Sequence, residues 1–241
     1  DRIMLYKNDG NENFTPQTIT AAANYPWSVY AADMDADGDM DILSASQHGD
    51  KITWYENDGS ENFADHTISI TADGAFRVYA ADVDSDGDMD VLSASPYDNK
   101  IAWYENNGSQ AFTSHAISTT ATFATSVVAT DMDGDGDMDV LSTSTNDNKI
   151  TWHENDGGQN FTEQIVSSTT VAPRDAYAID LDGDGDMDVV SAAHGSDQVA
   201  WHENDGNENF SAHRVDGFTG VGAYGIFSAD MDGHGDLDVL A

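Results

Sequence analysis

Asp33, Asp35, Asp37, Asp39 and Asp41 alternate with Met34, Ala36, Gly38 and Met40. The same acidic nonapeptide returns at Asp82, Asp131, Asp180 and Asp230, after intervals of 49, 49, 49 and 50 residues. Its carboxylates are Asp82, Asp84, Asp86, Asp88 and Asp90 in the second copy and Asp131, Asp133, Asp135, Asp137 and Asp139 in the third. The fourth carries Asp180, Asp182, Asp184, Asp186 and Asp188; the fifth carries Asp230, Asp232, Asp236 and Asp238, with His234 where the third carboxylate should stand. Carboxylates about 4 Å apart repel by about 1 kcal/mol per pair in water and about 4 at an effective dielectric near 20. Over four converging groups the sum, roughly 6 to 24 kcal/mol, rivals the stability of a whole domain. A loop of this kind needs a cation.

Hard oxygen donors in number, with no Cys and no paired His, suit Ca²⁺ better than Zn²⁺, copper or Mg²⁺. The spacing predicts side-chain ligands at positions 1, 3, 5 and 9, a backbone carbonyl from position 7, and the turn at the glycine of position 6. An EF-hand would place a bidentate Glu at position 12, but Ser44, Ser93, Ser142, Ser191 or Ala241 stands there. The flanks, VYAAD before and DILSAS after, read as short strands and not as amphipathic helices. A solvated acidic turn is the bland alternative, and fivefold recurrence in register argues against it. Four strong sites and a weaker fifth are expected.

The elements that must carry these loops form one repeated unit. In the first copy the expected strands are Val29 to Asp33, Ile42 to Ser46, Lys51 to Glu56 and, after an NDG turn, Phe63 to Ile70. Four short strands per 49 residues describe a propeller blade. The third strand recurs as ITWYENDG, IAWYENNG, ITWHENDG and VAWHENDG, placing Trp54, Trp103, Trp152 and Trp201 in the inter-blade core. Regular register likewise makes scaffold of His66, His115, His153, His202 and His213. Ile3 to Gly10 (IMLYKNDG) matches Ile52 to Gly59, and the terminal DVLA matches Asp41 to Ser44. The expected fold is therefore all-β, a five-bladed β-propeller of four-stranded antiparallel blades forming a single domain over residues 1–241. Residues 1–20 complete the blade begun at 221–241, so the ring closes by pairing N-terminal outer strands with C-terminal inner strands. A β-helix of calcium-binding nonapeptides would need adjacent short repeats.

With these residues in view, DMDADGDMD, DVDSDGDMD, DMDGDGDMD and DLDGDGDMD, each followed by the WYEN or WHEN strand, make the chain similar to the FG-GAP and VCBS repeat proteins. That group includes the integrin α-subunit head and several lectins. The resemblance spans essentially all 241 residues. It implies a Ca²⁺ ion in each loop between first and second strands, serving stability more than ligand contact. Relatives often have seven or eight blades, whereas five are written here.

Composition narrows the function. The net charge of −37, from 45 acidic and 8 basic residues, repels nucleic acid and anionic membranes even with four dications bound. No apolar run approaches the length of a membrane span. Calcium loops of this kind fill most readily outside the cell, so the expected location is extracellular, secreted or at the cell surface. The chain has neither an initiating Met nor a basic-apolar leader, as expected of a processed or trimmed chain.

In an up-and-down blade the acidic loops and NDG turns share one face, and the other turns share the opposite one. The acidic face hardly changes between copies; the opposite turns do, and function is expected there. That face offers Tyr25, Trp27, Phe76, Arg77, Tyr97, Phe123, Arg174 and Tyr224 as ligand-binding candidates, with Phe218, His48 and His194 beside them. Ring faces next to polar groups suit sugars. No nucleophile elbow or phosphate-cradling glycine loop is present, so no enzyme is expected. The leading expectation is a calcium-stabilised, lectin-like module with multivalent blade sites, its partner a glycan or a surface protein. The alternatives are a protein-docking or adhesin module, and the accessory propeller of a polysaccharide-degrading enzyme.

Overall fold

The computed structural model describes residues 1–215 and 222–241. Two strands open the chain, β1 (Ile3–Asn8) and β2 (Phe14–Thr20). The first complete blade is β3 (Pro26–Ala32), β4 (Asp41–Ser46), β5 (Lys51–Asn57) and β6 (Phe63–Ser69); the second is β7 (Arg77–Ala81), β8 (Asp90–Ser95), β9 (Lys100–Asn106) and β10 (Phe112–Ser118). The third is β11 (Ala124–Thr130), β12 (Asp139–Ser144), β13 (Lys149–Asn155) and β14 (Phe161–Ser167). The fourth is β15 (Pro173–Ile179), β16 (Asp188–Ala193), β17 (Gln198–Asn204) and β18 (Phe210–Arg214), and β19 (Phe227–Ala229) and β20 (Asp238–Leu240) end the chain. Each complete blade is a four-stranded antiparallel meander in sequence order. Blades of this kind arranged side by side make the all-β propeller architecture that the repeat predicts.

The second strand of each blade is buried along its length, because neighbouring blades cover both of its faces. It therefore reads as a run of small and apolar residues, DVLSAS or DVLSTS, without alternation. Leu43 pairs with Trp54, and Trp54 enters a core cluster with Ala72, Ala75 and Val78 of the next blade. Trp103 and Trp152 repeat that contact one and two blades on. Asn106 and Asn155 add amide hydrogen bonds to Met34 O (3.4 Å) and Val83 O (3.3 Å) of the preceding blade. The inter-blade assignment of Trp54, Trp103 and Trp152 follows; Trp201, next to the terminal half-blade, is only half-buried.

The recurring histidines are scaffold. His66, His115 and His213 bond Glu56, Glu105 and Glu203 at 2.6, 2.7 and 2.6 Å, with their rings against Trp54, Trp103 and Trp201. His153 and His202 replace Tyr55 and Tyr104 in register and bond Ser142 Oγ and Ser191 Oγ, each at 2.9 Å.

β1 and β2 make one two-stranded sheet and β19 and β20 another, and among the described residues no ladder joins them, so the expected ring-closing pairing is not seen there. Ile3 and Ala23 cluster with Tyr55, and Phe227 lies 6.0 Å from Tyr177. The ladder between β19 and β20 is three residue pairs long. Val29 is 55% exposed, where its repeat counterpart Val78 is 1% exposed.

Burial pushes His153 and His202 down to about 4. Their folded values lie below the unfolded value near 6.5, so their contribution is full above that pH and lost as pH falls towards 4. Each shift corresponds to on the order of 3 kcal/mol. Replacing both by the register residue (His153→Tyr with His202→Tyr) should flatten the loss of urea stability between pH 6.5 and 4.5 relative to the parent chain.

Candidate metal loops and ligand face

The acidic loops are shaped by their own backbone before any ion is considered. Asp33 accepts from Asp37 N (3.2 Å) and Gly38 N (3.0 Å), and Asp131 accepts from Gly134 N (2.8 Å) and Gly136 N (3.1 Å). The glycine at position 6 has positive φ, as expected; position 4 does too, and only the glycines of copies three to five could have signalled it in the sequence. Ala36 (φ 58°) and Ser85 (φ 61°) accept the same left-handed backbone.

Three carboxylates converge in every loop, with ligand oxygens within 4.8 Å of one another. They are Asp33, Asp35 and Asp37 in the first and Asp82, Asp84 and Asp86 in the second. In the third to fifth they come from positions 1, 3 and 9: Asp131, Asp133 and Asp139; Asp180, Asp182 and Asp188; Asp230, Asp232 and Asp238. Partial burial, then repulsion by neighbouring carboxylates, raises Asp35 and Asp84 above the usual carboxylate range. An oxygen-only donor set under mutual repulsion fits a hard dication. In the fifth loop the His234 ring turns onto Asp232 at 2.9 Å, so one carboxylate is missing and another is engaged.

The remaining positions do different work. At position 7, the Asp39, Asp88, Asp137 and Asp186 side chains lean over the NDG turns. A Cβ on Gly59 would come 2.4 Å from Asp39 Oδ2, a side-chain tip that can shift, so it is the positive φ (73°) that favours glycine here. At position 9, Asp41 is fully buried and ties the loop to strand β5, accepting from Met34 N (3.0 Å) and Asn57 N (2.7 Å). Asp90, Asp139 and Asp188 repeat this pair of bonds. Burial pushes Asp90 and Asp139 up to about 6. Spacing alone marks the ninth carboxylate as a candidate ligand; that it also clasps two strands depends on the N–H of an Asn 16 residues further on.

On the opposite face the scattered aromatics meet. Tyr25 lies 5.9 Å from Trp27 and stacks on His48 at 4.4 Å; Trp27 lies 4.5 Å from Phe76; and Tyr97 lies 6.3 Å from Phe123. Arg174 sits 5.8 Å from both the Phe123 and Tyr224 rings, and His194 lies 4.8 Å from Tyr224. Arg77 reaches Asp175, two blades away, at 3.7 Å. Phe218 lies outside the described residues. An open groove of about 450 Å³ borders the belt, lined by Asp1, Arg2, Tyr25, Pro26 and Trp27. A smaller cleft recurs between blades, at Lys51, Thr53 and Asp65 and again at Lys149, Thr151 and Glu163.

This face is not variable throughout. Asp50, Asn99 and Asn148 all take left-handed backbone and accept from Gly74 N, Phe123 N and Ala172 N of the next connection (2.9, 3.0 and 2.9 Å). These are scaffold bonds, hidden because Asp and Asn alternate at the position. At the donor end, Tyr25 (φ 56°), Gly74 (φ 72°), Phe123 (φ 60°) and Ala172 (φ 51°) share one left-handed conformation, so the turn is common to all four complete blades whatever its side chain.

The FG-GAP-like repeat profile matches residues 1–44, 33–93, 82–142, 131–191 and 180–241. The chain belongs to the FG-GAP-like repeat family. No curated protein sequence matches it. Solved β-propellers share its fold: an Agrocybe aegerita lectin described as recognising non-reducing terminal N-acetylglucosamine is 20% identical, TM-score 0.64, over 98% of this chain and 67% of its own. The periplasmic gluconolactonase of Pseudomonas aeruginosa is 13% identical, TM-score 0.59, over 100% and 66%. A chain of the nidogen/laminin complex is 9% identical, TM-score 0.60, over 89% and 72%. The chain thus spans about two-thirds of the length of the lectin and the lactonase.

Asp139→Ala would strip the acceptor from Met132 N and Asn155 N, each a buried donor. Urea unfolding in chelator, where no ion contributes, should show a loss of roughly 2–4 kcal/mol.

Proposed function

We propose that this chain is a calcium-stabilised, extracellular carbohydrate-binding propeller, and that its ligand lies on the aromatic face, away from the acidic loops. The observation that carries the reading is the belt of rings gathered on one face: Tyr25 stacks on His48 at 4.4 Å and lies 5.9 Å from Trp27, which lies 4.5 Å from Phe76. Trp27 and Tyr224 remain 50% and 62% exposed in the same belt. Exposed rings beside Arg and His donors match the apolar faces and hydroxyl rims of pyranoses. The inter-blade clefts would add weaker, equivalent contacts, whose repetition supplies avidity.

Binding is preferred to catalysis because the belt gathers rings and cations around no nucleophile paired with a base. Calcium belongs to stability in this reading: the ion offsets repulsion that otherwise opposes the fold. Among the described residues no helix is long and apolar enough to cross a membrane.

Two measurements test the proposal. Differential scanning calorimetry should show Tm rising with added Ca²⁺ and falling in EDTA; a melt indifferent to both would remove calcium from the account. Calorimetric titration with glycans ending in N-acetylglucosamine, in excess Ca²⁺, should show binding that Trp27→Ala or Phe76→Ala weakens by about tenfold or more, as expected for loss of a stacking ring. Absence of binding to any member of a broad glycan panel would favour the protein-docking alternative.

A further inference from the structure

In a chain with 45 acidic and 8 basic residues, a cation without an acidic partner calls for a reason. Lys7, Lys100 and Lys149 pair with Glu61, Asp98 and Glu163. Arg174 does not: among the described residues no carboxylate lies within ion-pair distance of it. Its Nε is buried with no acceptor, and its Cζ is 5.8 Å from the centroids of both Phe123 and Tyr224. Ring faces hold a guanidinium through its charge and flat surface, which leaves its N–H donors unspent.

A second guanidinium is tethered to the same strand, β15. Arg77 is 3.7 Å from Asp175, the residue next to Arg174 in sequence. Asp175 is buried and already accepts from Ser126 Oγ at 2.7 Å and Ile226 N at 3.2 Å. Arg77 is thereby held in place while most of its donors stay uncommitted, its side chain 41% exposed. Both arginines come from inner strands, β7 and β15; Arg77 aligns with Ser28, Ser126, Asp175 and Gly225 of the other repeats, and Arg174 with Trp27, Phe76, Thr125 and Tyr224. The repeat did not put them there.

We propose that Arg174 takes the carboxylate of a uronic-acid residue, so that the ligand is an acidic glycan. This rests on the carbohydrate-binding reading above and names its sugar class. A guanidinium fork matches a carboxylate bidentately, a geometry no single hydroxyl offers. The protein's overall negative charge is screened beyond about 8–10 Å at physiological salt, so the unpaired charge of Arg174 decides the contact. An isolated uronate on an otherwise neutral glycan fits this better than a polyuronate, whose remaining charges would meet the acidic scaffold.

The test compares an oligosaccharide bearing one terminal glucuronate with the same compound after its carboxyl is reduced to the alcohol, by calorimetric titration of the whole chain in Ca²⁺. The uronate should bind about tenfold more tightly or better, as one charge-assisted fork allows. Arg174→Gln should bring the two affinities within about twofold of each other. Equal affinities in the parent chain would overturn the inference and leave the lectin reading standing. A uronate preference that survives Arg174→Gln would place the carboxylate on bound calcium and overturn it as well. Binding of neither compound, nor of any neutral glycan, would sink both readings together.

Discussion

A carboxylate withdrawn from water must be surrounded by donors, and Asp41, Asp90, Asp139 and Asp188 meet that condition in the same way in each complete blade. One oxygen takes the N–H at the second position of the acidic loop; the other takes the N–H of the Asn that ends the third strand. The loop is thereby fixed to the blade at both ends, and the exposed carboxylates at its tip are held close together. Crowding that would otherwise relax by opening the loop is locked in, and a dication is the simplest means of offsetting it. Of the 45 acidic residues, 24 stand in the five acidic loops.

The same contact orders the space between blades. The Asn that donates to the ninth Asp also reaches back, as Asn106 or Asn155, to a carbonyl in the acidic loop of the preceding blade. Three residues earlier, Trp103 or Trp152 fills the gap on the apolar side. Metal loop, strand end and inter-blade core are therefore one mechanical unit repeated around the axis. This separates the two faces. The acidic face is committed to holding the sheets together, and the opposite face is free to carry different side chains at equivalent positions. Trp27, Phe76, Arg174 and Tyr224 occupy such positions, which is why the belt they form is a single asymmetric surface.

The sequence by itself determined the period, the antiparallel four-stranded unit, the Trp register and the position of every acidic loop. Those features depend on residues close in the chain or on strict repetition, and local chemistry suffices to read them. Tertiary structure alone decided that three carboxylates converge in each loop while the seventh leans over a neighbouring turn, because that choice depends on where the NDG glycine sits in space. It alone decided that Phe227 of β19 meets Tyr177 of the fourth blade, a contact between distant residues. It also brought Arg77 of the second blade to Asp175 of the fourth, and Arg174 between rings of two other repeats. Residues dozens of positions apart carry no mutual signal in one sequence, and only the curvature set by the inter-blade core makes them neighbours.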